Sequence, residues 1–269
     1  MPPKKDFKIN LLSLVVPSFK QKKTIVKDIN SMSKTLNQLD TKYEIIVVID
    51  GDVDNTYQEL KKIKNNKIKI ISYPKNQGKG HAVRVGMLKA KGDIIGFLDA
   101  GMDIHPTGFK MLLNHMEWYD ADIIVGSKLH PVSKVNYPFY RKVLSWGYRQ
   151  VTKTLFGFKV RDTQVGLKFF KRKVVKDVLP RLLVKKYAFD IEILAVSYLL
   201  GYKKIYEAPI EINFKMNNIH KSDLIKVVSL MAWDTLAVFY RLKILNYYKN
   251  KRVSKRKSIN KNKLQIASR

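Results

Sequence analysis

Carboxylates follow several short apolar runs of this sequence. Side chains at these positions are the first candidates for catalysis or ligand binding. Asp99 ends the run of residues 94–98, and Asp103 follows it closely. A divalent cation that neutralises a leaving diphosphate is usually held by carboxylates at a rigid strand end. The pair therefore predicts a metal and diphosphate site. The plain structural alternative is strand termination, or a cap on a helix that begins near residue 106.

A second acidic position follows an earlier run. Asp50 comes directly after residues 44–49, where a carboxylate could accept hydrogen bonds from a ribose or a base edge, or could belong to an Asx-rich turn. Residues 76–81 place two glycines and Lys79 before a predicted helix, which could bring backbone amides against a phosphate. Glycines at this spacing also serve ordinary turns, so the segment is weak evidence by itself.

Three later carboxylates, Asp162, Asp190 and Glu192, lie among apolar residues. An unpaired buried carboxylate is costly, so each predicts a cation, a backbone donor or a functional role. A purely structural ion pair is the alternative. The candidate cations are Arg141, Arg161 and Lys168.

The elements that must position these side chains follow from hydrophobic spacing. Short apolar, β-branched runs alternate with polar stretches of helical period, which predicts an α/β chain with a mostly parallel sheet flanked by helices. The runs are residues 11–16, 44–49, 67–71, 93–98 and 121–125. Helices are predicted at about 80–90 and 108–118. In such sheets ligands bind beyond the carboxyl ends of the strands, where the acidic residues lie.

The composition limits which classes of partner the chain can bind. The chain has 269 residues, with 52 Lys and Arg against 22 Asp and Glu, so its surface attracts polyanions: nucleic acid, an anionic membrane or phosphorylated substrates. The absence of cysteine excludes disulfides, thiolate metal sites and a cysteine nucleophile, and it agrees with a cytosolic location.

The length favours one catalytic domain, residues 1–221, followed by a tail, residues 222–269. Residues 223–248 are apolar and aromatic, but their uninterrupted stretch is too short to span a bilayer and contains Asp234. With the basic residues that follow, they predict an amphipathic interfacial helix on an anionic membrane surface.

Taken in order, these blocks resemble the family 2 glycosyltransferases, in the branch that includes dolichyl-phosphate glucosyltransferases and dolichol-phosphate mannose synthases. The resemblance covers about residues 11–214. Its motifs are VVPSF (15–19), VIDGDVDNT (48–56), NQGKGHAVRVGM (76–87), GDIIGFLDA (92–100), GSK (126–128), RDTQVGLKFF (161–170) and YAFDIEIL (187–194). Each motif is weak alone, but their order is specific.

The resemblance implies a GT-A fold, a nucleotide-sugar donor, Mg²⁺ or Mn²⁺, and inverting transfer by single displacement. Asp99 would meet the metal and diphosphate, with Asp103 as the nearest second ligand. The nucleoside pocket would be lined by Pro17 and Asp50, and its rim by Lys79 and Arg84.

On the acceptor side, the resemblance implies that Asp162 acts as a base or, for a phosphate acceptor that is already anionic, as a positioning group. Gln164 and Lys168 would flank it. Lys128 and Arg141 would bind the acceptor phosphate.

The sequence departs from the family pattern at four places. The segment Lys20-Gln21-Lys22-Lys23 stands where acidic residues are usual, a single Asp50 replaces a double aspartate, and Lys128 replaces an arginine. The usual Asp-Ala-Asp metal motif is Asp99-Ala100-Gly101. Donor identity and metal dependence therefore follow less directly from the sequence than the fold does.

The resulting hypothesis is an enzyme that moves a hexose from a UDP- or GDP-sugar to a polyprenyl phosphate, peripherally bound at the cytoplasmic face of a membrane. One alternative is transfer to a cell-surface glycan, but the Gln-x-x-Arg-Trp type of acceptor motif is absent. The other is nucleic-acid binding, which the positive charge permits but which leaves the carboxylate-ended strands unexplained. No nucleic-acid partner is expected, and the oligomeric state is left open.

Overall fold

The structure is a computed structural model that describes residues 9–101, 105, 107–135, 139–157, 160–212, 221–249 and 265–266. Its strands are β1 (Leu11–Ser18), β2 (Lys42–Asp50), β3 (Ile68–Tyr73), β4 (Ile94–Leu98), β5 (Ile123–Ser127), β6 (Lys134–Val135), β7 (Leu167–Lys171), β8 (Ile205–Pro209), β9 (Glu211–Ile212) and β10 (Gln265–Ile266).

The main sheet has eight strands in the order β10-β3-β2-β1-β4-β7-β5-β8, and β6 pairs with β9 separately. Neighbouring strands are parallel from β3 through β2 and β1 to β4, and again between β5 and β8. The predicted mostly parallel sheet is confirmed.

Helices cover both faces of this sheet. They are α1 (Ile25–Leu36), α2 (Thr56–Lys61), α3 (Lys79–Lys89), α4 (Gly108–Trp118), α5 (Phe139–Phe156), α6 (Arg172–Val178), α7 (Phe189–Leu199) and α8 (Lys221–Phe239). A π-helical turn, Tyr240–Ile244, continues α8, and 3₁₀ turns occupy Leu179–Arg181 and Tyr247–Lys249. The helices predicted at 80–90 and 108–118 are α3 and α4.

Strand alternation divides the core into two layers. On β1, Val15 faces a layer formed with α3, α6 and α7, whereas Leu14 and Val16 face the opposite layer, formed with α1 and α4. Because successive side chains of a strand point to opposite faces, one apolar run supplies both layers. The result is an α/β/α arrangement that leaves the carboxyl ends of the strands open for a site.

β7 breaks the parallel pattern, and this insertion was not predicted. It runs antiparallel between β4 and β5, with Leu167 opposite Leu98. The loop that precedes an antiparallel strand lies at the same edge as the loop that follows its neighbour. Residues 161–166 therefore lie beside Asp99, whose backbone N–H donates to the Gly166 carbonyl at 3.1 Å.

The described segment from α8 to Lys249 packs on one layer of the core. Val238, Leu242 and Tyr248 are buried in the layer that contains α3 and α7. The side of α8 that faces away from this layer is apolar as well, with Leu230, Trp233 and Leu236 exposed. Among the described residues, no helix has the length and hydropathy to cross a membrane. The division into a domain and a tail at residues 221 and 222 stays a prediction.

Candidate active site

Asp99 lies at the open edge of the sheet, directly after β4. Its side chain is 42% exposed, and its Oδ2 atom accepts a bond of 2.9 Å from the Lys79 ammonium. The Oδ1 atom is buried and has no hydrogen-bond partner in the part of the chain that the structure describes. A buried carboxylate oxygen without a donor is costly unless a cation or another ligand binds it. Asp99 therefore presents one oxygen to a ligand.

Lys79 joins Asp99 to a second carboxylate. Its ammonium lies 3.2 Å from the Oδ2 atom of Asp190, the second residue of α7. Asp190 is buried, and its Oδ1 atom is bonded to the Lys168 ammonium. These four residues, two lysines and two aspartates, form an ion-pair network that we call the charge cluster.

Burial and pairing act differently on the two lysines of the charge cluster. Burial would lower the pKa of Lys79, but the adjacent Asp190 and Asp99 carboxylates raise it above the ordinary lysine value. Burial is the main cause that lowers the pKa of Lys168, and Lys79 adds to that effect by repulsion. Lys79 therefore stays protonated and positively charged at the open edge. Lys168 is the lysine of the charge cluster that is buried in the interior.

Lys168 does not lie where acceptor binding requires it. The sequence analysis assigns it to the acceptor side, but its side chain is fully buried, and its ammonium donates to Asp190 and, at 2.5 Å, to the Val165 carbonyl. Alternation along β7 turns it into the layer beneath the site. Its ammonium holds Asp190 in place instead of lining the acceptor surface.

Asp50 organises the loop before α3. Its two oxygens accept hydrogen bonds from the backbone N–H groups of Gln77, at 2.7 Å, and Gly78, at 2.8 Å. These amides were candidates for phosphate binding, and the structure shows them bonded to Asp50. Gly78 has a φ of +102°, and a Cβ atom there would lie 2.5 Å from the Lys185 carbonyl oxygen, so only glycine fits.

The other predicted donor-side residues are Pro17, assigned to the pocket lining, and Arg84, assigned to its rim. Pro17 is buried near the end of β1, in register with Val48. Arg84 on α3 donates from Nη1 to the Leu182 carbonyl at 2.9 Å, and burial lowers the pKa of its guanidinium. Arg84 therefore ties α3 to the loop of residues 182–186.

Asp162 and Lys128, which the resemblance assigns to the acceptor side, contact each other. Asp162 is buried, accepts a bond of 2.9 Å from the Lys128 backbone N–H, and lies 3.7 Å from the Lys128 ammonium. Nearby, the Gln164 amide donates to the Tyr148 hydroxyl at 3.3 Å. Asp103 and the Arg141 side chain lie outside the described residues.

Two residues of the site have no assigned role in the sequence analysis. Asp190 is flagged there as a buried carboxylate that needs a partner, but nothing local shows that it would face Lys79. Gly166 gives no signal in the sequence. A Cβ atom at Gly166 would lie 2.0 Å from the Asp99 Oδ2 atom, so the absence of a side chain makes room for the Asp99 carboxylate.

A divalent cation fits this site only in part. Asp99 supplies one available oxygen, and the described residues contain no group of three or more acidic or histidine side chains that could hold a metal ion. Gly101 replaces the usual second carboxylate and has a φ of +101°, a conformation that disfavours aspartate. One protein carboxylate is nevertheless enough for a cation whose other ligands are substrate phosphates and water.

Solved structures similar to this chain contain UDP or UDP-glucose. Two are glucosyl-3-phosphoglycerate synthase from Mycobacterium tuberculosis, one in complex with UDP and one with Mn²⁺, UDP-glucose and phosphoglyceric acid. Each is 18% identical with a TM-score of 0.65, over 86% of this chain and 80% of that chain. The fold is therefore that of the GT-A class.

The family follows from sequence comparison. The family model described as glycosyl transferase family 2 matches residues 13–179. The dolichyl-phosphate beta-glucosyltransferase of Homo sapiens is 30% identical over 87% of this chain and 76% of its own length. That of Dictyostelium discoideum is 28% identical over 86% and 74%. The chain belongs to glycosyl transferase family 2 and is a glycosyltransferase.

We expect Gly166→Ala to lower the sugar-transfer rate about 100-fold, because the added methyl group must displace the Asp99 carboxylate and small displacements in a site are costly. Initial-rate assays measure the transfer rate, and thermal melting measures the stability of the fold. Gly147→Ala on α5 is the control, because a Cβ atom there meets nothing within 4 Å. Equal rates for both variants would show that Asp99 tolerates the displacement.

We expect Lys168→Met to lower the free energy of unfolding by about 3–5 kcal/mol, because it removes a buried cation from Asp190. Urea denaturation measures the change. Lys173→Met is the matched control: Lys173 pairs with Asp122 at 3.2 Å but is 61% exposed, so its loss costs less than about 1 kcal/mol. Similar small losses for both variants would contradict the role given to Lys168.

Proposed function

We propose that this glycosyltransferase moves glucose from UDP-glucose to a polyprenyl phosphate of the dolichyl type. Its relatives from three animals and a slime mould carry the name dolichyl-phosphate beta-glucosyltransferase. Structural neighbours in complex with UDP-glucose support UDP-glucose as the donor. Family membership also accounts for the carboxylate-ended strands, which nucleic-acid binding leaves unexplained.

The observation that carries the acceptor class is the pairing of the two buried carboxylates. Asp190 already binds two ammonium groups, and Asp162 binds the backbone N–H of Lys128 and lies near its ammonium. Both carboxylates therefore already have ammonium or N–H partners, which an acceptor hydroxyl would have to displace. A hydroxyl group of a glycan needs a general base, whereas a phosphate is already anionic and brings its own nucleophilic oxygen. This difference favours a phosphate acceptor.

On this proposal, Asp162 and Lys128 orient the acceptor. The Lys128 ammonium attracts the phosphate, and Asp162 limits where that ammonium can lie. Gln164 is close enough to contribute, since its amide bonds to Tyr148 at the same edge. The acceptor oxygen then forms a bond to the anomeric carbon as the bond from that carbon to the UDP oxygen breaks and UDP leaves. This single displacement inverts the configuration.

Asp99 and Lys79 serve the donor diphosphate. A Mg²⁺ or Mn²⁺ ion held by the free Asp99 oxygen would neutralise charge on the leaving diphosphate. Lys79, 2.9 Å from the other oxygen, adds a fixed positive charge at the same place. Asp50 keeps the adjacent loop in shape, and Lys20, Lys22 and Lys23, which follow β1, add to the positive potential at this edge.

We further propose that the exposed side of α8 contacts a membrane, peripherally and on its cytoplasmic side, in keeping with a chain without cysteine. Leu230, Trp233, Leu236 and Ile244 are exposed, and Trp146 on α5 is exposed as well. Exposed aromatic and aliphatic side chains on a strongly basic chain are typical of interfacial helices on anionic lipid. A polyprenyl phosphate would be reached at such a surface.

The purified chain, incubated with labelled UDP-glucose, polyprenyl phosphate and Mn²⁺, should yield glucose in the lipid extract. Asp99→Asn should reduce the rate about 100-fold or more, because it weakens charge compensation at the diphosphate. Asp40→Asn, at an exposed position outside the site, is the control. Transfer only to soluble or protein acceptors would refute the acceptor class, and preference for GDP-mannose would refute the donor.

Trp233→Ser should weaken binding to vesicles of three parts phosphatidylcholine and one part phosphatidylglycerol by about tenfold, because one large apolar contact is lost. Co-sedimentation measures the effect. Trp118→Ser on α4 is the matched control, since Trp118 is 51% exposed and Trp233 is 73% exposed. Equal weakening by both substitutions, or by neither, would show that α8 is not the lipid-binding surface.

A further inference from the structure

The loop of residues 182–186 lies between the donor edge and the C-terminal segment. On its donor side, the Lys185 carbonyl accepts the His81 backbone N–H at 3.0 Å, and the Leu182 carbonyl accepts the Arg84 guanidinium at 2.9 Å. His81 and Arg84 belong to α3, whose first residue is Lys79. The position of this loop therefore helps to set the position of the α3 amino terminus.

The opposite side of the loop is held by Glu192 of α7. This carboxylate is fully buried and accepts the backbone N–H groups of Leu183, at 3.0 and 3.1 Å, and Val184, at 2.9 Å. Both donors lie in the middle of the loop. A single side chain thus fixes the loop backbone between its two contacts with α3.

Glu192 has one further donor, and it comes from the C-terminal segment. The hydroxyl of Tyr248, a fully buried residue, donates to the Glu192 Oε1 atom at 2.7 Å. The backbone carbonyl of Tyr248 accepts Arg181 Nη1 at 2.8 Å, and Arg181 directly precedes the loop. Tyr248 is therefore bound at its hydroxyl and at its carbonyl by residues on either side of the loop.

The hydroxyl of Tyr248 matters because Glu192 is buried. Burial raises the pKa of Glu192, and its hydrogen bonds from Tyr248, Leu183 and Val184 oppose that effect by stabilising the carboxylate. If the hydroxyl is removed, the Oε1 atom loses a donor that water cannot easily replace. The carboxylate must then shift or take up a proton, and either change weakens its bonds to the loop.

We propose that Tyr248 is a positioning residue for donor binding, which acts through Glu192 on the loop of residues 182–186 and thereby on the α3 amino terminus. The identity of the donor rests on the function proposed above. The segment that contains Tyr248 continues from α8, so the proposed lipid-binding helix and the donor edge share one stretch of chain.

The test compares Tyr248→Phe with Tyr240→Phe in the full chain without lipid. Both substitutions remove only a hydroxyl, but Tyr240 is 52% exposed. Tyr248→Phe should weaken UDP-glucose binding about tenfold by calorimetry. It should also raise KM for the donor more than it lowers kcat, and it should speed hydrogen exchange at the Leu183 and Val184 amides. Tyr240→Phe should change none of these.

A Glu192→Gln background tests whether Tyr248 acts through Glu192. If it does, adding Tyr248→Phe to the Glu192→Gln variant weakens donor binding little further. If the two residues act independently, the double variant loses affinity by the product of the two single losses. Unchanged donor affinity and unchanged exchange at residues 183 and 184 would overturn the proposal, as would faster exchange spread evenly over the chain. If the wild-type chain failed to bind UDP-glucose, the proposed function would fail, and the exchange measurement would still decide whether Tyr248 holds the loop.

Discussion

The charge cluster is the interaction on which the site depends. Its members come from four separate parts of the chain: Asp99 follows β4, Lys79 begins α3, Asp190 is the second residue of α7, and Lys168 lies in β7. A buried lysine or aspartate alone would be costly, so each member stabilises the others only while all four parts keep their positions. Asp190 also lies in the first turn of α7, where the helix dipole favours a carboxylate.

Local patterns of the sequence predict most of the sheet and helices. The apolar runs that become β1 to β5 and the helical spacing of α3 and α4 depend on neighbouring residues, so they can be read directly. The antiparallel insertion of β7 depends on pairing between residues far apart, with Leu98 opposite Leu167. That pairing decides which face Lys168 takes, and for this reason its burial could not be predicted from its motif.

The site was predicted in part. The motifs single out Asp99, Lys79, Asp162 and Lys128, and the structure pairs Lys79 with Asp99 and Lys128 with Asp162. What the motifs could not supply is the partner of each group. Asp190 and Glu192 needed partners on grounds of burial, but the hydroxyl that reaches Glu192 comes from Tyr248, 56 positions away, in a segment whose composition indicates only a membrane contact.

The neutralised carboxylates also bear on which substrates the site can accept. A diphosphate and a phosphate must lie close together for transfer, and two such anions repel each other and any unpaired aspartate. Here Asp190 is neutralised by two lysines and Asp162 lies beside a third, so neither adds repulsion. Gly101 also lowers the negative charge of the site, because it stands where the usual family motif has a second metal carboxylate. The site reduces its own negative charge at each place where a substrate phosphate would bind, and this is the physical requirement of a transferase whose two substrates are both anions.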